Sequence, residues 1–193
     1  VARRIDRIAE LLEGADRPSL IGIDMPIGLP ERVWIGGRGP ERAARVPLGE
    51  RQSSVFSIPS RAAVWAGAGL PDAEAYRETN RVALLTSDPP RKVSKQGFYL
   101  FPKIREIDQL LRDRADLRRV IFECHPELAF WRLNGERAMS LPKKIKGRVN
   151  SDGMAERRAG LAAVAPWTAV ILADKPPKGV GEDDLLDATA CAV

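Results

Sequence analysis

Six side chains with acid, base or metal-binding chemistry stand at the ends of apolar runs or on one predicted helix: Asp24, Glu123, His125, Glu127, Asp184 and Asp187. Hard divalent ions such as Mg²⁺ bind clustered carboxylate oxygens that come from different elements. In an open α/β sheet, such sites form at the carboxyl ends of strands. If these acids converge, the sequence predicts a divalent-metal site.

Each of these residues also has a structural interpretation. Asp24 can simply cap the loop that follows a strand. Asp184 and Asp187, which are three residues apart and therefore on one helix face, can together with Asp183 complement the positive end of a helix dipole. His125, the one histidine, can be a core residue that is hydrogen-bonded to the backbone. The sequence leaves these alternatives open until the fold shows whether the acids meet.

Nucleophilic catalysis finds little support in the residue pattern. Ser53 and Ser54 lack the G-x-S-x-G context of a nucleophile elbow. Cys124 has a base beside it in sequence, His125, but neighbours on a strand point to opposite faces. No nucleophile–base pair is therefore strongly supported, and the carboxylates remain the expected source of the chemistry.

The N-terminal third of the chain must position Asp24. Residues 3–14 place apolar side chains at helical spacing, which predicts an amphipathic helix closed by Gly14. The apolar residues 19–24 predict a buried strand that ends at Asp24. Residues 25–70 are rich in Gly, Pro and Arg without a sustained period, which predicts a long, ordered, functional loop.

The rest of the chain alternates helix and strand patterns. Helices are predicted from Pro71 and from about Pro102, followed by a strand over 119–124. Then come a helix closed by Gly135, a basic loop over 140–150, a helix with Asp152 as its cap, and a C-terminal helix after residue 181. The run 167–173 fits a strand or a helix. Small residues of the last helix, Ala188, Ala190 and Ala192, predict close packing on a sheet.

Composition bounds the class of protein. A chain of 193 residues, 44% apolar and 30% charged, predicts one globular domain. Its net charge of +5 permits a polyanionic partner without requiring one. Cys124 and Cys191 form no C-x-x-C motif, and the longest apolar run is broken by Pro166, so a soluble cytoplasmic protein without a membrane segment is expected. The chain begins in a predicted helix without Met and ends in another, so we expect both ends to be truncated.

Five segments in this order resemble the DUF429 family, whose members are predicted nucleases of the ribonuclease H-like superfamily: GIDMPIGLP, ERQSSVFSIPSR, FPKIREID, FECHPELAF and DDLLDA. The resemblance covers about residues 19–193. It implies an α/β fold, a mixed sheet flanked by helices, with one or two Mg²⁺ or Mn²⁺ ions held by carboxylates. The implied ligands are Asp24, Glu123, Asp184 and Asp187. Family members usually begin with a strand that bears a further acid, and that strand is absent from this chain before its first helix.

The resemblance also implies a reaction and a partner. Two metal ions would activate a water and stabilise the leaving oxygen of a phosphodiester, with His125 orienting the water or moving a proton. The nucleic acid would be contacted at its phosphates by basic side chains: Arg51, Arg61, Lys95, Lys103, Lys143, Lys144, Lys146 and Arg148. The stretch KKIKGR at 143–148 can equally be a solvated basic loop.

Two other functions fit parts of the sequence. One is a phosphotransferase or ATPase of the same superfamily, although no G-x-x-x-x-G-K-[ST] loop is present. The other is a non-catalytic nucleic-acid-binding protein. Few exposed-looking aromatic residues interleave with the basic runs, which argues against a stacking platform for single strands.

Overall fold

The computed structural model of the protein describes residues 2–15 and 17–193, and it is a mixed α/β structure. The helices are α1 (Gly39–Leu48), α2 (Arg61–Ala66), α3 (Asp72–Leu85), α4 (Lys95–Tyr99), α5 (Phe101–Asp113), α6 (Pro126–Leu133), α7 (Ser151–Val164), α8 (Thr168–Ala173) and α9 (Glu182–Cys191). The strands are β1 (Ile21–Ile23), β2 (Val33–Trp34), β3 (Ser87–Asp88), β4 (Ile121–Glu123), β5 (Lys144–Ile145) and β6 (Arg148–Val149). Short 3-10 helices span Ile8–Leu11, Gly49–Ser54 and Ala115–Arg119.

The strands pair two by two. β1 and β4 are parallel, with Ile21 opposite Ile121 and Ile23 opposite Glu123. β2 and β3 are also parallel, whereas β5 and β6 form an antiparallel hairpin. Parallel pairing requires a long crossover, and residues 24–120 supply it between β1 and β4. The described strands are therefore small parallel and antiparallel pieces flanked by helices.

The chain divides into two compact units. The first contains the described residues up to Asp24 together with Arg45–Ser54 and Val120–Val193, and the second contains Met25–Ala44 and Val55–Arg119. The core of the first unit consists of side chains from α6 to α9 and the segments between them: Phe130, Met139, Met154, Leu161, Leu172, Leu185, Leu186 and Ala190. The core of the second unit lies around α2, α3 and α5: Leu29, Ile58, Ala63, Val64, Ala83, Val93, Phe101 and Ile104.

Several predicted elements are confirmed. β1 and β4 occupy the two apolar runs, and α3, α5, α6 and α9 occupy the predicted helices. Pro71 is the N-cap of α3, directly before its first residue. Gly135 follows the end of α6 with a φ of 67°, a left-handed conformation that glycine adopts readily. The ambiguous run 167–173 contains helix α8.

The predicted helix over residues 3–14 was wrong in its extent. Only Ile8–Leu11 is helical, as a single 3-10 turn. The Glu10 carboxylate accepts hydrogen bonds from the backbone N–H groups of Asp6 and Arg7, which caps the turn at that point. Isolated helices of this length have little stability of their own, so the apolar period alone did not extend the helix to residue 3.

The interpretation of residues 25–70 as one long, ordered loop was also wrong. This segment contains β2, α1, α2 and the 3-10 turn at Gly49–Ser54. These elements have between two and ten residues, and Pro47 lies inside α1. A periodic pattern cannot be read over such short spans.

Three local predictions near the C-terminus need correction. Residues 140–150 contain the β5–β6 hairpin, whose turn places Lys146 and Gly147 at φ values of 49° and 78°. Two successive positive φ values suit the twist of a tight hairpin. The N-cap of α7 is Asn150 rather than Asp152. On α9, Ala188 is exposed and Ala190 is buried, and Ala192, directly after the helix, is also exposed. Across residues 2–15 and 17–193, no helix has both the length and the apolar character that crossing a bilayer requires.

Candidate functional site

Asp24 lies at the carboxyl end of the β1–β4 pair in the first unit. The Cys124 N–H donates to the Ile23 carbonyl at 2.8 Å, so the pairing continues to the ends of both strands. A Cβ atom on Gly22 would lie 2.9 Å from the Cys191 carbonyl oxygen, which means that α9 passes directly over β1. Side chains two residues apart on a strand share a face, so Asp24 is on the face that α9 covers.

Asp187 lies one helical turn before Cys191 on α9, close enough to Asp24 for the two carboxylates to repel each other. Burial raises the pKa of Asp187 to about 6, with the charges of Asp24 and Glu127 adding to the rise and Lys143 opposing it. Asp24 is exposed at its surface, but partial desolvation by the surrounding residues still raises its pKa, against the opposing charges of His125 and Lys143. The fold therefore brings together an exposed carboxylate at a strand end and a half-buried carboxylate on a helix.

Lys143, the residue before β5, provides a positive charge at this position. Its ammonium group donates a hydrogen bond to Asp187 Oδ2 and lies 3.9 Å from Asp183 Oδ2. The next residue, Lys144, pairs with Asp183 at 2.6 Å. Burial opposes ionisation of Asp183, but the hydrogen bond from Lys144 and the charges of both lysines bring the pKa of Asp183 below its usual value.

Two buried polar atoms among these residues lack a hydrogen-bond partner within the described part of the chain. They are Asp187 Oδ1 and His125 Nδ1. The other ring nitrogen of His125, Nε2, lies 3.3 Å from the Ser54 carbonyl oxygen. Because a carbonyl only accepts, Nε2 carries a proton, and in the neutral ring Nδ1 keeps a lone pair. An unpartnered carboxylate oxygen and an unpartnered imidazole nitrogen both have acceptor capacity for a ligand or a proton.

Glu127 forms an ion pair with Arg157. Arg157 Nη2 donates to both of its carboxylate oxygens, at 2.8 and 3.0 Å. The Arg157 side chain is 0% exposed, and its Nη1 donates to the carbonyls of Leu141 and Gly153. This pair holds α6, α7 and the start of the basic hairpin segment together beside the acids.

Asp184 and Glu123 do not join Asp24 and Asp187. Asp184 is exposed and accepts a hydrogen bond from the Gly181 N–H at 3.0 Å, which caps α9. Glu123 is exposed and, by strand alternation, lies on the face opposite Asp24, although its charge still raises the pKa of Asp24. Asp183, four residues before Asp187 and on the same face, takes the place that the sequence assigned to Asp184.

The two cysteines meet at the same place. Cys191 Sγ lies 3.7 Å from the Cys124 carbonyl oxygen, and both thiols are free. The hydrogen bond between the thiols and burial, with the nearby charges of Asp24 and Asp187, raise the pKa of Cys191. Cys124 and Cys191 are far apart in the sequence, so the sequence did not predict this contact. The two residues meet because α9 packs on the β1–β4 pair.

The fit to a divalent metal is partial. Within the described ranges, no three His, Cys, Asp or Glu side chains form a group spaced to hold a metal ion. Asp24 and Asp187 fit on chemical grounds, because they are neighbouring oxygen donors that repel each other and Asp187 Oδ1 is buried and unpartnered. The predicted ligands Glu123 and Asp184 lie outside this pair.

Most of the predicted phosphate-contacting side chains bind within the protein. Arg51 donates to the carbonyls of Met139 and Ser140 at 3.3 and 2.8 Å. In the second unit, Arg61 pairs with Asp108 at 3.0 Å and Lys103 pairs with Glu106 at 3.2 Å. Lys143 and Lys144 pair with the acids of α9, as described above. The remaining three are exposed: Lys95, Lys146 and Arg148.

Comparison with known proteins identifies a family. No curated protein and no solved structure matches the chain. The family model described as "Protein of unknown function (DUF429)" matches residues 1–193. Because this match covers the whole chain, the protein belongs to the DUF429 family.

Proposed function

We propose that the protein is a metal-dependent nuclease with a ribonuclease H-like fold, hydrolysing phosphodiester bonds of DNA or RNA. One observation carries the proposal: the exposed carboxylate of Asp24 and the half-buried carboxylate of Asp187 come together from a strand end and a helix, with Asp187 Oδ1 unpartnered. Two like charges held close together in a partly desolvated place are costly unless they serve a purpose such as cation binding. The acid at the end of a parallel strand, packed under an acidic C-terminal helix, supports the ribonuclease H-like assignment.

Asp24 and Asp187 would hold a Mg²⁺ or Mn²⁺ ion, whose carboxylate-rich preference suits these two donors. When bound, the ion supplies Lewis-acid polarisation of the phosphodiester and a more acidic water. Its charge would also offset the repulsion between the two carboxylates.

Two neighbouring side chains contribute directly. Lys143 neutralises Asp187 before a ligand arrives, and its flexible ammonium group is free to turn to a phosphate oxygen once Asp187 has another cation. In the neutral His125 ring the Nδ1 lone pair is unpartnered, so this side chain can accept a proton and return it. Glu127 acts by fixing Arg157 and thereby α6 and α7 beside the site.

Metal-dependent cleavage by variants tests the proposal. The purified protein is incubated with single-stranded and duplex DNA and RNA in Mg²⁺, in Mn²⁺ and in EDTA. We expect cleavage that needs the metal and falls at least about a hundredfold in Asp24→Asn and Asp187→Asn. The control is Asp184→Asn, an exposed acid on the same helix that should keep activity.

Thermal melting of each variant separates loss of chemistry from loss of fold. Cleavage that is unchanged in both folded variants contradicts the roles of Asp24 and Asp187. If the same two variants instead lose turnover of ATP, the residues belong to a phosphotransferase rather than to a nuclease.

A further inference from the structure

The second unit contains a pocket of about 220 Å³ that combines an exposed aromatic ring, two cations and an apolar floor. Its walls include Trp34 of β2 and the segment after β3, with Arg91 and Lys92. The floor is formed by Val33, Ile58 and Val93, all buried. Drug-sized ligand pockets usually measure roughly 300–1,000 Å³, so this one suits a single small ring system.

Trp34 is 56% exposed, although its ring is one of the largest apolar groups that a protein can bury. The Arg32 guanidinium lies 5.5 Å from the centre of the ring. A cation over an indole ring is a favourable arrangement, and a solvent-exposed ring beside cations is the usual stacking surface for an unpaired base. The ring therefore presents a stacking surface rather than a core contact.

Arg91 and Lys92 are exposed and, among the residues that the structure describes, neither forms an ion pair with a carboxylate. This distinguishes them from Arg61 and Lys103 in the same unit, which are paired with acids. Cations that the protein does not neutralise are available to a phosphate group.

The segment that carries these cations is held in place. The Arg91 N–H donates to Ser87 Oγ at 2.8 Å. Val93 is fixed on both sides, because its N–H donates to Asn80 Oδ1 at 2.7 Å and its carbonyl accepts from the Tyr76 hydroxyl at 2.8 Å. A binding surface that is already ordered loses little entropy when a ligand binds.

The opposite wall is fixed by a buried carboxylate. Glu41 accepts from Arg38 Nε at 2.7 Å and from the Ile58 N–H at 3.1 Å, and both charged side chains are 3% exposed. Gly37, which lines the pocket, has a φ of 88°, and a Cβ atom there would collide with the Glu41 carboxylate. The chain therefore turns sharply after Trp34, which leaves the indole at the edge of the pocket.

We propose that this pocket binds one nucleotide of a single-stranded nucleic acid, with the base stacked on Trp34 and the adjoining phosphate held by Arg91 and Lys92. The sequence argued against a stacking platform because few exposed-looking aromatic residues interleave with the basic runs, of which RKVSK at 91–95 is one. The fold supplies the missing ring from β2, which pairs with β3 just before that run. The inference stands apart from the metal chemistry proposed above, because binding here needs no carboxylate of the first unit.

Binding is measured by fluorescence anisotropy with a labelled oligothymidylate, in EDTA and in the Asp187→Asn background, so that no strand is cut. We expect Trp34→Ala to weaken binding about five- to hundredfold, the range that one stacked base contributes, and Trp34→Phe to retain most of the affinity. The control is Trp167→Ala, which removes an indole of similar exposure, 48%, from the first unit and should leave the dissociation constant unchanged.

The contribution of Arg91 and Lys92 is tested against a control that removes the same charge elsewhere. Arg91→Ala with Lys92→Ala should weaken binding and flatten its salt dependence, whereas Lys175→Ala with Lys178→Ala removes the same charge from exposed positions of the first unit and should change little. Equal losses in both double variants would contradict a local phosphate contact. A nucleoside monophosphate that competes as well as the oligonucleotide would overturn the assignment to a strand, and unchanged binding in folded Trp34→Ala would overturn the site.

The two proposals fail separately. Oligonucleotide binding that depends on Trp34, without any metal-dependent cleavage, contradicts only the nuclease. If cleavage depends on Asp24 and Asp187 but replacing Trp34 does not change oligonucleotide affinity, only the proposal for this pocket is contradicted.

Discussion

The ammonium group of Lys143 is hydrogen-bonded to the carboxylate of Asp187 and lies 3.9 Å from the carboxylate of Asp183. A lysine that the sequence assigned to phosphate binding is thus the counter-ion of the acid that the sequence assigned to metal binding. Lys143 directly precedes β5, so the position of the β5–β6 hairpin places the Lys143 ammonium group at the site. Any other cation that binds Asp187 must compete with it.

Replacing this counter-ion should strengthen cation binding. In Lys143→Met, the site loses one positive charge, so Mn²⁺ should bind about tenfold more tightly or better, measured by isothermal titration calorimetry. The matched control is Lys144→Met, because Lys144 is 46% exposed and pairs with Asp183 rather than with Asp187. Equal Mn²⁺ affinities in wild type and Lys143→Met would show that the ammonium group does not compete with the ion.

The pH dependence of stability should reveal Asp187. Its pKa of about 6 in the folded state exceeds the reference value of 3.8, so the folded protein binds this proton more tightly than the unfolded chain. The favourable contribution is therefore full below about pH 4 and is lost as the pH rises through about 6. The loss is on the order of 3 kcal/mol in the free energy of unfolding, at 1.36 kcal/mol for each pKa unit.

Urea denaturation of wild type and Asp187→Asn from pH 4 to pH 8 measures this contribution. The wild type should lose stability relative to the variant as the pH rises, because the amide does not ionise. For Asp183 the sign is opposite and the pH window is lower, because Lys144 holds its pKa below the reference value of 3.8 despite burial; its contribution is constant from pH 4 to pH 8 and is lost only in more acidic solution. A stability difference between wild type and Asp187→Asn that does not change with pH would refute the raised pKa.

The Glu127–Arg157 pair should be a major contributor to the stability of the first unit. Glu127→Gln leaves the fully buried Arg157 guanidinium without its negative partner, which typically costs about 3–5 kcal/mol. The control is Glu182→Gln, whose carboxylate is 68% exposed and 3.8 Å from Arg158, so the change should cost less than about 1 kcal/mol. Similar midpoints of denaturation for the two variants would contradict a structural role for Glu127.

The contact between α9 and β1 depends on Gly22. In Gly22→Ala the new methyl group would lie 2.9 Å from the Cys191 carbonyl oxygen, a backbone atom that cannot move aside alone. We expect lower thermal stability and, because Asp187 is carried away from Asp24, weaker Mn²⁺ binding.

Gly160→Ala serves as the control for that substitution. Gly160 lies inside α7 and a Cβ atom there meets nothing within 4 Å, so alanine should stabilise the helix by about 0.5–1 kcal/mol. If Gly22→Ala proved as stable as Gly160→Ala, the close packing of α9 on the strand would be disproved.

The sequence by itself determined the elements whose signals are local. Apolar runs that end at Asp24 and Glu123 predicted β1 and β4, and long periodic segments predicted α3 and α5. Helices of 13 or 14 residues carry several turns of pattern, which is why they could be recognised. The segment 25–70 carries elements too short for such a pattern, and their apolar residues pack by tertiary contact.

Only the tertiary structure decided which charges meet. Helical spacing and the resemblance favoured Asp184 and Asp187, but α9 is oriented by its buried leucines, Leu185 and Leu186. As a result, Asp183 and Asp187 face Lys143 while Asp184 caps the helix. In the same way, the pairing of β2 with β3 brings Trp34 beside the basic run after β3. Such contacts join residues far apart in the chain, and they depend on how whole elements pack rather than on any local pattern.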